Sequence, residues 1–141
     1  MNKTVKLGDG PEVSRVGYGT MQLPGKGVWG ESGDPAGAVG VLRKAVELGI
    51  DFFDTADSYG PFVAEDLLRE ALHPYDGITV ATKAGLIRTG PGEWHQIGRP
   101  EYLRFALEMS LRRLGVDQID LFQLHRIDSQ VPAEEQIGVL K

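Results

Sequence analysis

Two rhythms of apolar residues alternate along this chain. Short bulky runs at Ile50-Asp-Phe-Phe-Asp54, Ile78-Thr-Val-Ala-Thr82 and Gln118-Ile-Asp-Leu-Phe-Gln-Leu124 suit buried strands. Between them, apolar positions recur at i, i+3, i+4 and i+7, the spacing of one helical face. Ala38, Val41, Leu42 and Ala45 form one stripe, and Ala64, Leu67, Leu68, Ala71 and Leu72 a second. Leu103, Ala106, Leu107, Ser110, Leu111 and Leu114 form a third. The punctuation agrees. Asp34-Pro35 reads as an N-cap followed by proline at the first helical position, Gly49 and Gly115 as stops, and His73-Pro74 as a break. After Pro132 a fourth helix begins, expected to run on to Lys141.

Upstream, Val5, Leu7 and Val13 around Gly8-Asp9-Gly10 predict a β-hairpin over 4–13. Arg15-Val-Gly-Tyr-Gly19 reads as the first strand of the main sheet, followed by a glycine- and proline-rich loop over 20–33. Residues 84–98 read as a second loop, long enough to do more than connect. Strict alternation of strand and helix predicts an α/β fold with a parallel sheet and right-handed crossovers. The expectation for 1–141 is a hairpin followed by four β/α units from 15 to 141. That is the first half of a (β/α)8 TIM-type barrel, which needs roughly 250 residues. A small open doubly wound sheet is the alternative.

Composition acts mainly by exclusion. A net charge of −5 without basic clusters argues against nucleic acid as a partner. No apolar run approaches the length that spans a bilayer, and Met1-Asn-Lys-Thr-Val-Lys6 is not followed by the apolar stretch of a signal peptide. With no cysteine there is no disulfide, thiolate nucleophile or thiolate ligand. That fits a reducing compartment; the expected location is cytoplasmic, and no metal site is expected. Gly25-Lys-Gly-Val-Trp-Gly30 matches the dinucleotide fingerprint, with Asp51 as its ribose acid. Its context is wrong, because the fingerprint must leave a strand directly and open a helix. Here 20–24 and 31–35 intervene on either side.

The chemistry gathers at strand ends. Asp54 ends the second predicted strand of the main sheet, Lys83 follows the third and His125 the fourth, and Tyr59 lies in the loop just past Asp54. In a β/α barrel the C-terminal strand ends form one rim, with neighbouring strands about 4.8 Å apart. Asp, Tyr, Lys and His together suit proton transfer to a carbonyl oxygen. A free tyrosine titrates near pH 10, a nearby ammonium favours the phenolate, and a carboxylate holds the ammonium. Hydride would have to come from a cofactor. Each residue also has a plainer reading: Asp54 as a turn cap, Tyr59 as a rim aromatic, Lys83 as a structural lysine and His125 as a hydrogen-bonded core histidine. The shared rim argues against four coincidences.

Gly17-Tyr-Gly-Thr-Met21, Asp54-Thr-Ala-Asp-Ser-Tyr-Gly60, Ala81-Thr-Lys83 and Asp120-Leu-Phe-Gln-Leu-His125, in this order, resemble the signatures of the aldo-keto reductases. The resemblance runs from about Val13 to the end. Met21-Gln-Leu-Pro-Gly-Lys-Gly-Val-Trp-Gly30 and Tyr59-Gly-Pro61 are most similar to a bacterial, pyridoxal-reductase-like branch.

The resemblance implies a (β/α)8 barrel whose opening hairpin closes the bottom, reducing aldehydes and ketones with NADPH. It implies Tyr59 as general acid, Lys83 as its partner, Asp54 as holder of Lys83 near the nicotinamide ribose, and His125 as orienter of the carbonyl. Gly19, Thr20 and Met21, with Asp54, would lie beside the nicotinamide end of the cofactor. Trp29 and Trp94 are candidate walls of the substrate pocket, or else loop anchors packed on the barrel. In the resembled family the second half of the barrel supplies most of the cofactor site, so a truncated reductase is expected. The alternatives are a regulatory module that senses the cofactor without catalysis, and an inactive fragment held by self-association.

Overall fold

The apolar runs assemble into one parallel sheet in the computed structural model, which describes residues 3–141. An antiparallel hairpin comes first, β1 Thr4–Lys6 with β2 Glu12–Ser14, in the register Val5 opposite Val13. The main sheet then runs in chain order through β3 Tyr18–Gly19, β4 Phe52–Asp54, β5 Thr79–Ala84 and β8 Leu121–Leu124, every pair parallel. Helices α1 Pro35–Glu47, α2 Val63–Leu72 and α3 Pro100–Leu114 follow β3, β4 and β5, and α4 Ala133–Gly138 follows β8. Strand order that follows chain order, with the helices packed on one face, is the arrangement of consecutive units of a (β/α)8 barrel; an open doubly wound sheet reverses its strand order and is covered on both faces. Among the described residues no helix is long and apolar enough to cross a membrane.

Alternation along the strands sorts the side chains into two layers. Phe53 and Val80 face the helices, in a core shared with Leu42, Leu67, Leu68 and Leu114. Ala84 packs with Leu103 and Ala106 in a second cluster. Asp54, Ala81 and Lys83 therefore face the opposite side. Helix ends follow the punctuation. Asp34 accepts the Gly37 N–H at 2.9 Å. At the other end of α1, Gly49 N–H meets Val46 O and Ile50 N–H meets Ala45 O, with Gly49 at φ 91°. Gly115, at φ 74°, closes α3.

The structure corrects four expectations. The stripe of α1 buries Val39 rather than Val41, which is 48% exposed. β3 is shorter than 15–19: Arg15 N–H goes to Lys3 O, which keeps it with the hairpin, and only Tyr18 and Gly19 pair with β4. Residues 84–98 contain a second hairpin, β6 Leu86–Gly90 with β7 Glu93–Gln96. Helix α4 stops at Gly138, a poor helix former, short of Lys141.

Candidate active site

The register of the sheet sets the site. Gly19 pairs with Asp54, Asp54 with Ala81, and Lys83 with Gln123, so the strand ends carry their polar residues to one rim. The Lys83 ammonium donates to Asp54 Oδ2 at 2.7 Å, to Thr55 O at 2.8 Å and to the Tyr59 phenol oxygen at 3.2 Å. An ammonium has three hydrogens, and all three have acceptors. Gln123 Nε2 donates to the other oxygen of Asp54, at 3.3 Å. The Asp54 side chain remains 36% exposed while that of Lys83 is 13% exposed. The carboxylate can thus meet a ligand that the ammonium cannot reach.

His125 joins the group through rings. It stands edge-on to Tyr59 with centroids 5.8 Å apart, and Trp94 is edge-on to both at 6.4 Å. Its Nδ1 lies 3.3 Å from Ser58 Oγ. Burial, aided by the positive charges of Lys83 and Arg126 and opposed by Asp54, pushes the imidazole down to about 4. The ring is neutral at pH 7. Tyr59, Trp94 and His125 line an open cavity of about 620 Å³ together with Met21, Leu86 and Arg126.

Four expected residues sit differently from the rest. Gly19 is exposed at the sheet edge, with open space where a Cβ would stand, and Met21 is 40% exposed. Both fit a ligand lying across β3 toward Asp54. Thr20 is fully buried and its hydroxyl donates to Asp54 O at 3.2 Å, so its side chain faces Asp54 rather than the open surface. Trp29 is not among the residues lining the cavity; it bridges to Gly60, and its ring lies 5.8 Å from the Arg88 guanidinium. It anchors a loop. Gly19, Met21 and the Asp54 carboxylate thus form one exposed surface at the edge of the sheet.

A model of the aldo/keto reductase family matches residues 15–141. The chain belongs to the aldo/keto reductase family. It is 56% identical over 135 residues to an uncharacterized oxidoreductase of Schizosaccharomyces pombe, covering 96% of this chain and 44% of that protein. It is 43% identical to a pyridoxine 4-dehydrogenase of Escherichia coli, covering 89% of this chain and 45% of the relative. An aldo-keto reductase of Bacillus halodurans, solved in its holo form, superposes with a TM-score of 0.81 at 35% identity, covering 97% of this chain and 44% of that one. This aldo/keto reductase chain therefore spans a little under half the length of the relatives it matches.

Sequence reasoning missed three residues of the rim. Gln123 was legible, because period two places 121, 123 and 125 on one face of the strand. Ser58 lies inside the Asp54–Gly60 motif but gives no hint of its histidine partner. Arg88 carried no signal at all, being one basic residue in a segment expected to be a loop.

Proposed function

We infer that this chain carries the proton-transfer residues of an NADPH-dependent carbonyl reductase that converts an aldehyde or ketone to an alcohol. One observation carries the reading: a single ammonium, that of Lys83, lies within hydrogen-bond reach of both the Asp54 carboxylate and the Tyr59 phenol. Tyr59 is the general acid, giving its proton to the carbonyl oxygen. Lys83 favours the negative charge left on the phenol oxygen. Asp54 keeps the ammonium in place and, being partly exposed, accepts from a ribose hydroxyl. His125 is uncharged at pH 7. With the Ser58 hydroxyl donating to Nδ1, its Nε2–H points the carbonyl toward Tyr59. Bound NADPH supplies the hydride. Gly19 and Met21 would hold its nicotinamide end, and Trp94 would wall the substrate. The compartment assigned by this reading is the cytoplasm.

The test is turnover against binding. Purified protein is mixed with NADPH and a panel of aldehydes, which includes pyridoxal because of the pyridoxine 4-dehydrogenase relative. Tyr59→Phe should lower turnover by about 10²–10⁴-fold, the usual worth of a positioned acid, and leave NADPH affinity by cofactor fluorescence nearly unchanged. Equal loss of both would remove Tyr59 from its role.

A further inference from the structure

Arg88, on β6, makes a set of contacts that no surface arginine needs. A guanidinium has five N–H donors in a rigid fork. Here each finds a backbone carbonyl. Nε donates to Glu93 O at 2.7 Å, Nη1 to Val28 O at 2.5 Å and Ser58 O at 2.9 Å, and Nη2 to Gly27 O at 2.8 Å and Gly90 O at 3.3 Å. These acceptors belong to three separate segments: the 20–33 loop, the loop that carries Tyr59, and the β6–β7 hairpin itself. Among the described residues no carboxylate pairs with it.

The same group also touches the cavity wall. The guanidinium carbon lies 3.6 Å from the centroid of Trp94, close enough for stacking. Trp94 in turn stands edge-on to Tyr59 and His125. Ser58, held through its carbonyl, immediately precedes Tyr59 and carries the hydroxyl beside His125. Both routes from Arg88 end on the same pair of residues.

We propose that Arg88 is a positioning residue of this site: its guanidinium sets the placement of Trp94 and of the Ser58–Tyr59 segment relative to His125. The proposal rests on the reading above for its kinetic arm but not for its spectroscopic one. Lysine, with one nitrogen, can satisfy only part of the fork and cannot stack as a plane. Misplacement of an acid by about 1 Å costs on the order of a hundredfold in rate.

The experiment compares Arg88→Lys and Arg88→Met with Arg99→Met, an exposed arginine outside the site. In the Arg88 variants kcat should fall by about tenfold to a hundredfold, more for Met than for Lys. With carbonyls of three segments left unpaired, the thermal midpoint of the Arg88 variants should fall, so kcat is read well below every midpoint, where each protein is fully folded. There the NADPH dissociation constant should stay close to the parent value, and an unchanged kcat overturns the proposal. The second arm needs no turnover. Trp29→Phe leaves Trp94 as the one tryptophan of the two in the sequence. Adding Arg88→Met to that background should raise acrylamide quenching of Trp94 clearly, and Arg99→Met should not. If the parent protein reduces no aldehyde, the functional reading fails and this arm alone decides. Unchanged quenching then overturns the role of Arg88, and raised quenching upholds it.

Discussion

Glu65 is the residue whose setting departs most from its type. It lies on α2 and is fully buried, yet it is a carboxylate beside Leu68 in an apolar core. Two partners make this tolerable: Arg113 Nε on α3 donates at 2.6 Å and the Thr82 hydroxyl on β5 donates at 2.6 Å. A buried pair contributes little net stability against a well-packed apolar substitute, but removing one partner strands the other. Arg113→Met should therefore cost about 3–5 kcal/mol in urea unfolding. The Arg113→Met, Glu65→Leu double variant should recover most of that loss. A double variant as unstable as the single one would show that packing, not stranded charge, sets the cost. Sequence periodicity hides this pair, because a glutamate at the edge of the stripe of Ala64 and Leu68 reads as solvent-facing.

Among the elements, those announced by sharp contrasts were legible. The strands β4 and β5 are apolar runs that turn polar at Asp54 and Lys83, and helix α1 begins at a capping aspartate followed by proline. Removing that cap in Asp34→Ala should lower stability by about 1 kcal/mol, read as a shifted urea midpoint with an unchanged slope. A shift near zero would mean that packing of Leu42 and Ala45 alone holds the helix start. The β6–β7 hairpin was not legible. Its alternation is masked by Arg88, Thr89, Glu93 and His95, whose polar groups bond to one another and to loop carbonyls. A polar segment can be ordered by its own hydrogen bonds, and hydrophobic patterning does not register that. The turn Gly90-Pro91-Gly92 was the one local signal available. The shift from Val41 to Val39 in α1 has a different cause. Both lie near the stripe, and only the placement of α2 decides which is covered.

On the scale of the whole molecule, two buried groups pull stability in opposite directions with pH. Asp57 is 3% exposed; burial, with Glu65 adding and Arg113 opposing, pushes its carboxyl from 3.8 up to about 7. The folded state then holds a proton that the unfolded chain releases, so stability falls as pH rises from about 4 to 7. His125 does the reverse. Its imidazole, at about 4 when folded against 6.5 otherwise, refuses a proton that the unfolded chain takes, so stability falls as pH drops from 6.5 to 4. The two slopes oppose each other between about 4 and 6.5. Asp57→Asn should remove one of them, and the difference between variant and parent urea midpoints should grow as pH rises from 4 to 7. A difference flat across that window would show that Asp57 is charged when folded. The strand ends and the four-residue rim were legible because barrel topology converts sequence order into adjacency. These buried shifts were not, because they depend on which neighbours the helices bring. The same packing gives the Lys83 amine a chemical character of its own. On the proposed reading, a free amine beside a bound aldehyde would condense with it to an imine. Lys83, as an ammonium whose three hydrogens go to Asp54, Thr55 and Tyr59 and whose side chain is only 13% exposed, has no lone pair to offer a carbonyl, which disfavours that side reaction.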